Sequence, residues 1–363
     1  MSENVQKTLR DSAALRWLAL ILLAGAMFCS YIFMDILSPI KDLMWDTKGW
    51  DSTAFGTMQG SETFLNVFVF FLIFAGIILD KMGVRFTAIL SGAVMLVGAT
   101  INWYALTDMF AGSNLEVWFN EHLNYIPGFD ELGVSPFYKG MPASAKFSAI
   151  GFMIFGCGVE MAGITVSRGI VKWFKGREMA LAMGSEMALA RLGVATCMIF
   201  SPMFARLGGE VSVSRSVAFG VVLLMIALIM FIVYAFMDKK LDSQTGEAEE
   251  KDDPFKLSDL GKILTDSGFW LVALLCVLYY SAIFPFQKYA VNMLQCNLVF
   301  HQVDPSSIWA SNTITIIQYV IMLVVAACAF ASNFSKNKVA KYGLMGAAIV
   351  ALVVFCYMGY MRQ

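Results

Sequence analysis

The stretch Ile150-Gly-Phe-Met-Ile-Phe-Gly156-Cys-Gly158-Val-Glu160-Met-Ala-Gly163-Ile-Thr-Val166 sets one carboxylate in the middle of an apolar run. A helix that crosses a bilayer uses roughly 20 apolar residues, and an ionisable group at its centre costs about 2.5–3.5 kcal/mol on insertion scales. Such a group is kept where it serves a polar pathway. The next apolar run carries a second one, Arg191. Working outward, runs of this kind recur at about 15–38, 54–79, 86–107, 146–171, 179–205, 214–237, 268–290, 308–332 and 340–361. About nine spans describe an all-α polytopic membrane protein embedded in a lipid bilayer.

The composition agrees. Apolar residues make up 58% of the 363 and charged residues 15%, with mean hydropathy +0.68, too apolar for a domain that must clothe itself in polar side chains. A net charge of −1 offers nucleic acid no basic surface. Six of the seven cysteines, Cys29, Cys157, Cys197, Cys276, Cys328 and Cys356, fall inside spans, Cys296 lies just beyond one, and no CxxC spacing occurs, so they read as small packing residues. The histidines His122 and His301 sit in separate loops. No metal, cofactor or enzymatic centre is therefore expected.

Charge sets the orientation. With a cytoplasmic N-terminus the inner loops hold Lys81, Arg85, Lys172, Lys175, Arg177, Lys239, Lys240, Lys251, Lys256, Lys262, Lys336, Lys338 and Lys341, and the outer segments only scattered cations, which the positive-inside rule selects. The first 15 residues are polar and carry no cleavable apolar core, so the first span is expected to act as the insertion signal. The outer loop 108–145, with Pro127, Pro136 and Pro142, is expected to cap that face. Trp17, Trp45, Trp50, Trp173 and Trp270, near span ends, read as interfacial anchors.

The charged stretch 238–267, with Glu247, Glu249, Glu250, Asp252 and Asp253, reads as a solvated cytoplasmic linker. It divides a six-helix bundle, 1–237, from the start of a second bundle, 268–363, in which 308–361 reads as an inserted helix pair. Six helices, a linker and one further helix begin a transporter of two similar halves, and the chain is expected to stop short of the second half's end.

Between spans two and three stands Gly76-Ile-Ile-Leu-Asp80-Lys-Met-Gly83-Val-Arg85. Here Gly76 would permit close helix approach, Asp80 would meet a helix N-terminus or a basic side chain, and Gly83 would let the chain reverse before Arg85 meets the cytosol. This loop resembles the G-x-x-x-D-[RK]-x-G-x-[RK] signature of the major facilitator superfamily. A narrower resemblance rests on Gly156-Cys-Gly158-Val-Glu160, Trp173-Phe-Lys-Gly176-Arg-Glu178, Ala190-Arg191-Leu-Gly193 and Tyr279-Tyr280-Ser-Ala-Ile-Phe284-Pro285-Phe286. Together these are similar to the lysosomal dipeptide transporter branch and its bacterial relatives. The resemblance implies a major facilitator fold, a complete N-terminal bundle with a partial C-terminal one, and a cavity in which Glu160 and Arg191 hold the charged ends of a dipeptide. A second copy of the loop signature is absent from 332–341.

The residues alone carry part of this. Glu160 lies 16 positions before Gly176 and Arg191 lies 15 after it, so at about 1.5 Å rise per residue both sit roughly 20 Å from that turn, at matching depth. Two readings stay open: a structural ion pair locking a hairpin, or two charges facing a ligand cavity. Gly156, Gly158, Gly163, Ala188, Gly193 and Ala195 are expected to leave free volume beside both charges, which favours a ligand. Its ammonium would meet Glu160 and its carboxylate the planar fork of Arg191.

Further candidates are Asp35 near the outer end of span one, Gln59, Glu62 and Asn66 on span two, Glu186 on span five, and Tyr279 and Tyr280 on span seven. Glu62 and Asn66 share a helix face at i and i+4. Adjacent tyrosines point about 100° apart, so one of the two is expected to face the ligand. Lys288, near the outer end of span seven, reads as a snorkelling lysine, and Pro285 as a kink suited to an outer gate.

The function expected is transport of dipeptides or similar small zwitterions by alternating access, as a uniporter, in a cell membrane, with the bacterial inner membrane favoured by the lack of an acidic dileucine signal. The alternatives are a proton-coupled carrier of another organic ion, with Glu160 as proton site, and a non-transporting membrane sensor on the same scaffold.

Overall fold

The computed structural model describes residues 8–245, 257–297, 309, 311–335 and 337–361; His301, Lys336 and the acidic residues Glu247 to Asp253 of the expected linker lie outside them. The described residues are helical without a strand: α1 Ala13–Met34, α2 Lys41–Lys48, α3 Ser52–Phe68, α4 Phe71–Ala105, α5 Asn114–His122, α6 Ala143–Phe174, α7 Met179–Ala205, α8 Val213–Thr245, α9 Leu257–Thr265, α10 Ser267–Asn297, α11 Asn312–Phe334 and α12 Lys338–Met361. Helices close every backbone hydrogen bond within one segment, which is what a bilayer demands. Eight helical stretches among the described residues are long and apolar enough to cross one.

The eight differ from the expected nine at span two. That span is divided between the 17-residue α3 and the start of α4, with a break at Val69–Phe70 where Phe70 takes φ 56°. No proline or glycine announces it. The expected boundary between spans two and three, by contrast, is where the chain turns. Up to Asp80 the partners on α6 ascend: Ser61 donates to the Ala149 carbonyl, the Glu62 carbonyl abuts Gly156, and Asp80 meets Arg168. Beyond Gly83 they descend, Met95 touching Gly158, Gly98 touching Phe155 and Gly151, and Asn102 touching Gly151. Gly83, at φ 80° and ψ 169°, is the residue of reversal, a backbone conformation that a side chain would strain.

Residues 1–289 and 290–363 form two compact units. In the first, α1 packs chiefly on α7 and α8, α4 on α6 and α8, and α3 on α6. Small residues set these crossings, as expected where no solvent drives helices together. In the second, α11 and α12 pair with each other, and Gln318 Nε2 donates to the Phe355 carbonyl at 3.4 Å. Helix α8 runs on to Thr245, so Asp238 is not part of a solvated strand of linker but is fully buried at the end of a helix.

The connection 106–142 caps one end of the first unit. Its α5 is N-capped by Ser113, whose hydroxyl accepts from the Glu116 N–H, and Phe110, Phe119 and Ala143 bury together beneath it. Lys146 is 1% exposed and donates to the Phe119 carbonyl at 3.1 Å and Asn124 Oδ1 at 3.2 Å. Tyr138 donates to Asp51 Oδ1 at 3.3 Å, and burial with that carboxylate pushes its phenol up to about 12. Trp50 and Trp173 are not interfacial anchors. Both are buried to 1% exposure and donate indole N–H bonds, to Ser144 Oγ at 2.9 Å and Asp238 Oδ1 at 3.0 Å, whereas Trp45 and Trp270 do lie on the surface.

Candidate functional site

Three helices bring the charged residues together. Helix α6 contributes Glu160, partly buried, and α7 contributes Arg191. Although a four-residue turn joins them, these two helices touch little, and α1 lies against both. Its Tyr31 is the meeting point. The guanidinium of Arg191 lies 5.6 Å from the Tyr31 ring centroid, and the phenol is within electrostatic reach of Glu160, Glu186 and Glu62 as well as Arg191. No ion pair joins Glu160 to Arg191 among the described residues. The hairpin-locking pair is therefore not the arrangement found. Arg191 is exposed and lies against aromatic rings, and Glu160 is half-buried.

The glycines around them do not supply the free volume expected from sequence. A Cβ on Gly156 would stand 1.9 Å from the Glu62 carbonyl oxygen, one on Gly158 2.6 Å from Met95 Cγ, and one on Gly193 2.6 Å from the Phe28 carbonyl oxygen. These are crossing points, closing α6 onto α3 and α4 and α7 onto α1. Only Gly163 among them opens onto empty space. Small side chains here serve helix crossings rather than space for a ligand.

Helix α10 completes this end of the first unit. The Arg191 guanidinium also lies 5.9 Å from the Phe284 ring centroid, and Tyr280 stacks on Phe284 at 5.0 Å between centroids. Of the two tyrosines, Tyr280 is thus on the Arg191 stripe; Tyr279 meets Tyr280 edge-on and is 56% exposed. One turn further, Lys288 is not snorkelling. Its ammonium lies 3.1 Å from Glu62 Oε2, 3.4 Å from Gln59 Oε1 and 5.7 Å from the Phe152 ring centroid. Gln287 donates to Asp35 Oδ2 at 3.5 Å, while Asp35 Oδ1 is buried without a partner. Asn66, a turn from Glu62, has both amide atoms buried and unpartnered. Tyr31 and Lys288 were missed by sequence reasoning as members of the site. The stripe Tyr280, Phe284, Lys288 at intervals of four is the signal that finds the lysine.

At the opposite end, the loop motif is held by charge. Asp80 Oδ1 takes Arg168 Nη1 at 2.5 Å, and Arg85 Nη1 reaches Asp242 Oδ2 at 2.7 Å rather than extending freely into water. Lys172 bridges Asp238 at 2.8 Å and Asp242 at 2.7 Å. Gly76 is not a point of close approach, since a Cβ there would meet nothing within 4 Å.

A family model for the Major Facilitator Superfamily matches residues 23–362. Among curated relatives, the lysosomal dipeptide transporter MFSD1 of Homo sapiens is 24% identical over 280 residues, covering 75% of this chain and 52% of that protein. The same transporter from Danio rerio is 30% identical over 145 residues, 38% of this chain and 31% of the relative, and that from Gallus gallus is 29% identical over 145 residues, 38% and 32%. The chain spans about half the length, or less, of the curated relatives it matches. A match over nearly all of the sequence, on a chain whose described residues include eight helical stretches long and apolar enough to cross a membrane, settles the family: the chain belongs to the major facilitator superfamily of membrane transporters.

Proposed function

We propose that this transporter moves dipeptides or similarly small zwitterions by alternating access, as a uniporter, with Arg191 holding the carboxylate and Glu160 the ammonium of the solute. The observation that carries this reading is the placement of Glu160 and Arg191 about Tyr31 without an ion pair between them. A half-buried carboxylate and an accessible guanidinium on neighbouring spans, unpaired with each other, suit a ligand that brings both counter-charges with it. Arg191 lies near the Tyr31 and Phe284 rings and is exposed, and its planar guanidinium suits a bidentate carboxylate. Similarity to lysosomal dipeptide transporters supports the substrate class.

In this reading the N-terminus is cytoplasmic and the Asp80 end faces the cytosol of a cell membrane, bacterial by preference, because Lys81, Arg85, Lys172, Lys175 and Arg177 gather at that end. A specific observation favours a second reading, coupling to protons: Glu160 and Glu62 influence each other electrostatically, and neighbouring carboxylates share protons readily. Uptake of a labelled dipeptide panel into proteoliposomes separates the two. Equilibration without accumulation under an imposed pH gradient supports the uniporter. Accumulation that Glu160→Gln abolishes while sparing exchange establishes coupling at Glu160, and absence of dipeptide uptake by active protein removes the substrate assignment.

A further inference from the structure

The second compact unit carries a site that the transport reading does not use. A cavity of about 370 Å³ lies along the α11–α12 hairpin, beside the turn that joins the two helices. Its walls are graded. Nearest the turn they are Ser332 and Asn333 of α11 and Lys341 of α12. Met345 follows one turn along α12, with Ala348 and Ile349 a turn further. Positions 341, 345, 348 and 349 form one stripe of α12, i, i+4, i+7 and i+8, so the cavity follows a single helix face from a cation to apolar side chains. At about 1.5 Å rise per residue that stripe is roughly 12 Å long. Ser332 and Ala348 form its buried floor, at 5% and 9% exposure, while Lys341 is exposed. Charge at the mouth is of one sign. Lys336, Lys338 and Lys341 fall within six positions, and no Asp or Glu occurs from residue 305 to residue 363. Lys338 and Lys341 are three apart and share a helix face, and neither has a carboxylate partner among the described residues. The first turn of α12, where Asn337 Oδ1 accepts from the Val339 N–H at 2.9 Å, adds the partial positive charge of a helix start. A small inorganic anion would use the cations alone. An amphiphile uses the cations and the apolar stripe together.

We propose that this hairpin holds an anionic phospholipid of the cytoplasmic leaflet, its phosphate against Lys341 and Lys338 and an acyl chain along Met345 and Ile349. The occupant follows from the order of the walls. They are positive at the membrane surface, where the positive-inside reading puts this turn, and apolar one to two turns deeper, where hydrocarbon begins. Each lysine held at an anionic leaflet favours the charged lipid by about fivefold. The site belongs to the hairpin alone, so it stands whatever solute the protein carries.

An added tryptophan reads which lipid sits there. Ile349 borders the cavity and is 61% exposed, so Ile349→Trp sets an indole beside the acyl chain without filling the floor. The full chain, with and without this substitution, is reconstituted into phosphatidylcholine vesicles containing phosphatidylglycerol, with bromine on the acyl chains of one lipid or the other. The difference in emission then gives the lipid composition around residue 349. Phosphatidylglycerol is expected to be enriched there by about fivefold or more over its share of the vesicle. Lys338→Gln with Lys341→Gln, both at exposed positions that the fold does not need, is expected to return the composition to that of the bulk, and Lys341→Arg to keep the enrichment. Soluble glycerol 3-phosphate, which has the charge without the chain, is expected to leave the quenching unchanged. Bulk composition around the parental lysines, enrichment that survives loss of both, or displacement by glycerol 3-phosphate each overturns the proposal. So does an indole that neither brominated lipid quenches, because another helix or a second copy of the chain then fills the groove.

Discussion

The two ends of the first unit are fastened in opposite ways. At the Asp80 end, ion pairs are many and mostly water-accessible: Asp80 with Arg168, Arg85 with Asp242, Lys172 with Asp238 and Asp242, Arg16 with Glu178 and Arg177 with Asp11. All of them join elements within residues 8–245. At the capped end one buried pair, Lys288 with Glu62, ties α10 to α3. Half-wet pairs contribute roughly 0–1 kcal/mol each and survive the loss of a neighbour. A dry pair is close to all or nothing, because either charge alone is stranded. One end is built as a weld and the other as a catch.

The largest effect expected from breaking this contrast comes from the residue that places Glu62. Gly156→Ala drives a methyl into the Glu62 carbonyl, a backbone atom that cannot swing away, and is expected to cost about 3 kcal/mol or more. Gly163→Ala, on the same helix but facing open space, is expected to change stability by less than about 0.5 kcal/mol. Thermal unfolding of the two purified variants in one detergent checks the pair, and equal losses would show that the α3–α6 crossing is not what fixes Glu62.

Next in size is the driest member of the weld. Asp238 is 0% exposed and accepts from Lys172, the Trp173 indole and the Tyr234 hydroxyl. Asp238→Ala is expected to cost about 2 kcal/mol, less than a fully stranded ion because Lys172 keeps Asp242. Arg85→Ala, removing a pair that is 35% exposed on the arginine side, is expected to cost about 0.5 kcal/mol. The same melts rank them, and a reversed order would undo the picture of a weld whose strength follows burial.

The smallest effect lies at the N-terminal strap. The Thr8 backbone N–H and hydroxyl, with Arg177, hold the Asp11 carboxyl below its ordinary 3.8. A depressed carboxylate adds its stability in full above the unfolded value and loses it as pH falls through the lowered one. The protection factors of the amides at residues 8–12, exchange corrected for its intrinsic pH dependence, are therefore expected to be unchanged across neutral pH and to fall only below 3.8, and a fall near pH 6 would point to another group.

Much of the fold was legible because a bilayer enforces it. Apolar runs of span length can become only helices, and Gly83 reads as a reversal because φ 80° excludes side chains. The break at Phe70 was not legible, since a bulky residue in a left-handed conformation leaves no trace in composition. Within the site, the depth of Glu160 and Arg191 followed from counting along two helices, but what stands between them did not. Tyr31 comes from a third helix, and only packing brings it beneath Arg191. Lys288 was misread for the same reason: at a span end a lysine can reach water or a buried acid, and the acid that decides is 226 positions away in sequence. Gly156 and Gly193 were recognised as small without any means of telling a crossing point from a void.

The reading of the cavity turns on whether Arg191 acts as a planar fork or as a mere charge. Dialanine stabilisation of the purified protein, measured by thermal shift in wild type, Arg191→Lys and Arg191→Ala, tests this most directly. The expected result is strong stabilisation of the wild type and nearly none of either variant, because an ammonium keeps the charge but cannot grip a carboxylate with two parallel donors. Full stabilisation of Arg191→Lys would contradict it, leaving Arg191 a nonspecific cation beside Tyr31.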